Sequence, residues 1–174
     1  MSLLKVASLE DAEGEVKEIL QEIEVTFGML PAGISLWSMN KKALKYQWNS
    51  IKEVFSLDKD SQKMHAVIRY LVSEKNNCEY CVGLNQGMLL NMFAMSKNDI
   101  HLLVDDLSIA NLEPKNQLLL QLAIQSIDNP KNTTQKTLDE LRKHDISEKE
   151  MFDIVLAASQ MLVVNTLFDT FDVE

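Results

Sequence analysis

Apolar residues recur three and four positions apart along almost the whole chain, and only 5 glycines and 3 prolines punctuate its 174 residues. A helix gathers residues at that spacing onto one stripe, whereas strands need alternation and frequent turn signals. The pattern predicts an all-α protein. Val16, Ile19, Leu20, Ile23 and Phe27 mark a first helix over residues 8–27, with Gly28 as its stop. Leu44, Trp48, Ile51 and Phe55 mark a second over 41–55, after a short segment opened by Pro31. Met64, Val67, Ile68, Leu71 and Val72 form the next stripe, which runs to Glu74. Asn77 is then placed to cap a helix that continues through Leu84, Met88, Met92 and Met95. Ser96 with Asp99, Pro114, and Ser147 with Glu150 each read as further helix starts. The 46% apolar content suffices for one core, so residues 1–174 are expected to form a single helical domain.

Charge narrows the possible partners. A net charge of -9 argues against nucleic acid and anionic membrane surfaces, which attract clustered Lys and Arg. The first residues turn acidic by Glu10 without the apolar core of a signal peptide, and no unbroken apolar run approaches bilayer length. A reducing cytoplasm is the expected location. The methionines at 88, 92 and 95, with Met151 and Met161, are expected to fill a core or a subunit interface.

Against that background the two cysteines stand out, because Cys78 and Cys81 lie three residues apart at a predicted helix start. Such a pair can cycle between dithiol and disulfide, or supply half of a tetrahedral metal site. It can also be two small buried hydrophobes. A zinc site needs two more ligands, and His65, His101 and His144 form no second pair at ligand spacing, so no metal or other cofactor is expected. The positive end of a helix favours thiolate over thiol, most strongly at Cys78, and a second thiol one turn away can resolve an oxidised first. Glu79 and Tyr80, between the cysteines, are placed to meet a substrate.

The stretch Glu74 to Gln86, E-K-N-N-C-E-Y-C-V-G-L-N-Q, resembles the signature of the carboxymuconolactone decarboxylase and alkyl hydroperoxidase D-like superfamily. Phe27-Gly28-Met29-Leu30-Pro31 and the late Asn165 resemble its peroxidase-related branch. The resemblance implies an alkyl hydroperoxidase D-like helical domain that presents Cys-x-x-Cys in a pocket, with Cys81 attacking and Cys78 resolving. It also implies homo-oligomers (dimers, trimers or hexamers), a hydroperoxide or disulfide substrate and a cellular dithiol reductant. In the family a histidine four residues after the second cysteine and a glutamate twelve before the first form a proton relay. Those positions hold Asn85 and Ala66 here. An amide cannot accept a proton at neutral pH, so the base must come from elsewhere. His65, Glu74 and Glu79 are the candidates, although His65 points about 100° away from position 66 around a regular helix. The expected function is a thiol-dependent oxidoreductase that reduces hydroperoxides through a Cys78/Cys81 cycle. The alternative is a scaffold or interaction protein of the same fold that has lost turnover.

Overall fold

The structure is a computed structural model and describes residues 2–6 and 8–173. Among these residues there are nine α-helices, two short 3-10 turns and no strand. They fall into two compact units: residues up to Leu57 together with those from Leu167 onward, and Asp58–Thr166.

The first unit contains α1 (Gly14–Phe27), α2 (Ala32–Trp37) and α3 (Lys41–Ser56). Helix α1 begins later than its apolar stripe predicts, because Ser8 and Asp11 close a turn in which the Ser8 hydroxyl both donates to the Asp11 carboxylate and accepts from the Asp11 N–H. Gly28 ends the helix at φ 73°, a left-handed position that suits glycine. Asn40 caps α3 by accepting from the Lys42 and Ala43 N–H groups. Ile19, Leu20 and Ile23 of α1 pack with Leu44 and Trp48 of α3 to form the core of this unit. Lys41 and Lys45 both reach Glu15 across the outer edge.

The second unit is built around α4 (Lys59–Asn76), whose Met64, Ala66, Val67, Ile68, Tyr70, Leu71, Val72 and Ser73 are all buried. These residues surround the helix rather than line one stripe, so α4 is covered on several sides. It packs against α5 (Glu79–Phe93) and α7 (Pro114–Asp128). Asp58 caps α4, and Asp60 in its first turn accepts from the Glu113 N–H and the Asn116 side chain, which ties it to the start of α7. The short α6 (Lys97–Leu102) is capped by Ser96 as its sequence predicts. It is followed after α7 by α8 (Gln135–Lys143) and α9 (Glu148–Thr170), the last of these belonging to the second unit as far as Thr166. Ser147 and Glu150 bond reciprocally at the start of α9. The Glu150 carboxyl is pushed down to about 2, first by its bond to Lys115 and then by the Ser147 N–H. By length and composition α9 is sufficient to cross a membrane, although the sequence holds no unbroken apolar run of that length. Its Met151, Ile154, Ala158 and Met161 are buried in the second unit.

The junction between α4 and α5 departs from expectation. Asn77 does not cap α5; it terminates α4 in the left-handed region, at φ 57°. The Asn77 N–H donates to the Glu74 carbonyl at 3.1 Å and the Cys78 N–H to the Ser73 carbonyl at 3.2 Å. These two bonds make a Schellman ending, and they leave Cys78 itself, extended at φ -80° and ψ 93°, as the N-cap of α5. Asparagine tolerates the left-handed region better than other residues that carry a Cβ. Asn77→Gly is therefore expected to hold stability to within about 0.5 kcal/mol. Asn77→Val is expected to lower it by about 1–2 kcal/mol in urea unfolding. Equal midpoints for the two variants would show that the backbone at this junction relaxes.

Candidate functional site

The sharp turn at Asn77 sets the end of α4 beside the beginning of α5, and both cysteines lie there. Cys78 and Cys81 are joined as a disulfide, with Cα atoms 5.3 Å apart. Cys78 caps α5 and Cys81 is its third residue, so both lie where first-turn N–H groups lack intrahelical partners and the helix end is positive. Both residues are buried, at 0% and 1% exposure. In the oxidised form, a reagent larger than a few atoms reaches the sulfurs only if the surrounding side chains move.

Behind the disulfide lies a network of buried polar groups. Asn85 is one turn beyond Cys81 on the same face of α5, and its Nδ2 donates to the Cys81 carbonyl at 2.7 Å and more weakly to Ser73 Oγ at 3.4 Å. The other end of the amide, Oδ1, accepts from Arg69 Nε at 3.2 Å. One donor and one acceptor on opposite sides fix the orientation of the amide. Ser73 Oγ donates to the Arg69 carbonyl at 2.6 Å and lies 3.4 Å from Asn165 Oδ1, while Asn165 Nδ2 donates to the Val72 carbonyl at 3.3 Å. Ser73, Asn85 and Asn165 are the buried polar residues among those described, and all three belong to this cluster. Buried polar groups are tolerated when they satisfy one another, and here three helices contribute to doing so.

Arg69 supplies the charge. Burial lowers its pKa, and no carboxylate pairs with it among the described residues. Sequence reasoning singled out neither Arg69 nor Ser73. The available signal was a cation inside the otherwise apolar run from Ala66 to Val72, on a helix that proves to be covered on several sides.

The candidate bases are placed differently. His65 is one turn before Arg69 on α4 and half-buried, and it makes no hydrogen bond to Asn85 or the cysteines. Its pKa is lowered to about 4, by desolvation first and by the positive charge of Arg69 second. At neutral pH it is an uncharged imidazole and a weak base. Burial first, and Glu74 second, raise the pKa of the Tyr70 phenol. Glu79 is exposed at the first position of α5 and Tyr80 is half-buried beside it. Ala66, at the position of the family glutamate, is buried and apolar. Among the described residues no group of three or more His, Cys, Asp or Glu side chains is arranged to hold a metal.

The shift at His65 has a consequence for stability. The unfolded chain binds this proton near pH 6.5 and the folded chain only near 4, so the unfolded state holds more protons between those values. The contribution is fully present above pH 6.5 and is lost as the pH falls to about 4, amounting to roughly 3 kcal/mol. His65→Gln is expected to flatten the fall in unfolding free energy across this window, and the His65 ring signals in NMR are expected to titrate with a midpoint near 4. A midpoint near 6.5 would show an imidazole open to water.

No protein-family model matches the sequence, and no curated protein matches it. Among the solved structures that share the fold are two peroxidase-related proteins. One is the alkylhydroperoxidase AhpD core of an uncharacterized peroxidase-related protein from Ralstonia eutropha JMP134, at a TM-score of 0.79 and 14% identity over 99% of this chain and 91% of that one. The other is an uncharacterized peroxidase-related protein from Silicibacter sp. TM1040, at 0.77 and 15% over the same shares. The chain has the all-helical fold of the alkylhydroperoxidase D core.

Proposed function

We propose that the protein is a thiol oxidoreductase that reduces hydroperoxides through Cys78 and Cys81. The observation that carries this reading is the disulfide at the start of α5, backed by the cluster that gathers the buried polar residues of the described chain. The peroxidase-related names of two proteins that share the fold favour the same chemistry. In the reduced state the Cys81 thiolate attacks the distal oxygen of a hydroperoxide. The O–O bond breaks, leaving a sulfenic acid on Cys81 and an alkoxide that takes a proton from solvent. The Cys78 thiol then attacks the Cys81 sulfur, forming the disulfide and releasing water. A cellular dithiol reduces the disulfide by exchange and becomes oxidised in turn. Burial of both sulfurs favours small hydroperoxides over bulky ones. Cys81 is assigned the attack because Asn85 and Arg69 back its turn of the helix.

An apolar row on the outer face of α9 supports self-association. Phe152, Leu156 and Val163 are 67%, 40% and 53% exposed, and Leu84 and Met92 of α5 are exposed as well. We assign the α9 row to contact between copies of the chain. Light scattering is expected to give a mass that is a multiple of 19.8 kDa, and Phe152→Glu to lower it. A monomer at micromolar concentration contradicts the assignment.

The same burial, with Ala66 and Asn85 at the relay positions, favours the competing reading of an inactive scaffold. Peroxide consumption coupled to a dithiol reductant separates the two. Cys78→Ser and Cys81→Ser are each expected to fall to the background rate, with Cys81→Ser also losing the initial burst. Equal consumption by the wild type and both variants rejects thiol catalysis.

A further inference from the structure

Arg69 presents an imbalance that neither the fold nor the disulfide requires. A guanidinium does not lose its proton at any physiological pH, so its charge persists when it is taken out of water. Buried charges are ordinarily paired, because an unpaired one costs several kcal/mol. Arg69 is half-buried, and here its guanidinium makes a single hydrogen bond among the described residues, from Nε to a neutral amide, with no carboxylate partner. That amide is Asn85, which is bonded in turn to the carbonyl of Cys81. The charge is thus one hydrogen-bonded residue removed from the backbone of Cys81.

We propose that Arg69 is the counter-charge of the reduced pair, holding Cys81 as a thiolate by electrostatic attraction and taking the place of a base that removes the proton. The inference rests on the reading that the pair cycles, and it assigns Arg69 a positioning role, acting through Asn85 and through its field. On reduction, a dithiol supplies two electrons and two protons and leaves as a disulfide. One proton stays on Cys78, the other goes to solvent, and the guanidinium neither gives nor takes one. Charge that is unbalanced in the oxidised state is balanced in the reduced state. The disulfide should therefore be more oxidising than the same pair without the cation.

Other charges near the site have partners or lie elsewhere. On α4, His65 is neutral, Glu74 meets Tyr70, and Lys75 pairs with Asp128 of α7. On α5, Glu79 is exposed. Lys115 of α7 pairs with Glu150 of α9, and Lys149 with Asp153. Asp99 of α6 is bonded to Ser96, while Lys97 and His101 on that helix are exposed. None of these bonds to Arg69.

The test uses the reduced protein and no peroxide. Alkylation by iodoacetamide is followed against pH, with mass spectrometry to tell Cys81 from Cys78, and the disulfide is equilibrated against glutathione. In the wild type, Cys81 is expected to titrate below the ordinary thiol value of about 8.5. Arg69→Met is expected to raise that midpoint by about one unit and to shift the glutathione equilibrium about tenfold toward the disulfide, equivalent to about 30 mV. Arg69→Lys, which keeps the charge, should stay within about threefold of the wild type. A wild-type Cys81 that titrates at or above 8.5 overturns the proposal even if Arg69→Met fails to fold. A folded Arg69→Met with an unchanged midpoint overturns it as well. If the midpoint shifts while no hydroperoxide is consumed, the peroxidase reading fails and the role of Arg69 stands.

Discussion

The site depends on one constraint: polar groups sealed inside the second unit must satisfy one another. Ser73, Asn85 and Asn165 are buried; Ser73 donates to the Arg69 carbonyl and lies within reach of Asn165 on α9, Asn85 donates to the Cys81 carbonyl, and Asn165 to the Val72 carbonyl on α4. Removing one member leaves the others desolvated and unpaired, which costs about 1–3 kcal/mol for each group. The bonds that run between α4, α5 and α9 therefore restrict the register of these helices against one another. The Schellman ending at Asn77 completes the arrangement by bringing the Cys78 N–H onto Ser73, a residue of the same cluster.

This arrangement changes what the cysteine pair can do. A proton relay needs a group that titrates near neutral pH and points at the thiol. His65 is held neutral to about pH 4 and makes no bond to the cluster, and Glu74 acts on the Tyr70 phenol, whose pKa it raises, with no hydrogen bond to either cysteine side chain. Position 85 carries an amide whose orientation is fixed between Arg69 and the Cys81 carbonyl. What remains is a permanent charge and the positive end of a helix. Neither accepts a proton, which goes to solvent; both favour the thiolate electrostatically, and both act continuously rather than at one step of a cycle.

Local chemistry made much of this readable in the sequence. Gly28, Ser96 with Asp99, Pro114 and Ser147 with Glu150 mark helix ends because each acts on backbone groups within four residues. The apolar stripes located the helices for the same reason. Asn77 was harder, since an asparagine serves equally as an N-cap or in a left-handed turn; only the bonds to Ser73 and Glu74 decide between the two. Cys78, Cys81 and Asn85 were legible from their spacing and from the family resemblance, and the structure brings them to one place. Arg69 and Ser73 were not. A charge in an apolar run has meaning only once the helix is known to be covered on several sides, and a serine becomes a network member only through partners 12 and 92 residues away.

The central claim is that Cys78 and Cys81 together pass two electrons to a hydroperoxide. It is tested most directly by a single turnover: the pair is reduced, freed of reductant and mixed with one equivalent of a small alkyl hydroperoxide, and thiols and products are counted. The account predicts that two thiols disappear for each alcohol formed and that the Cys78–Cys81 disulfide is recovered in the digest. Thiols that persist while the hydroperoxide remains intact would contradict it.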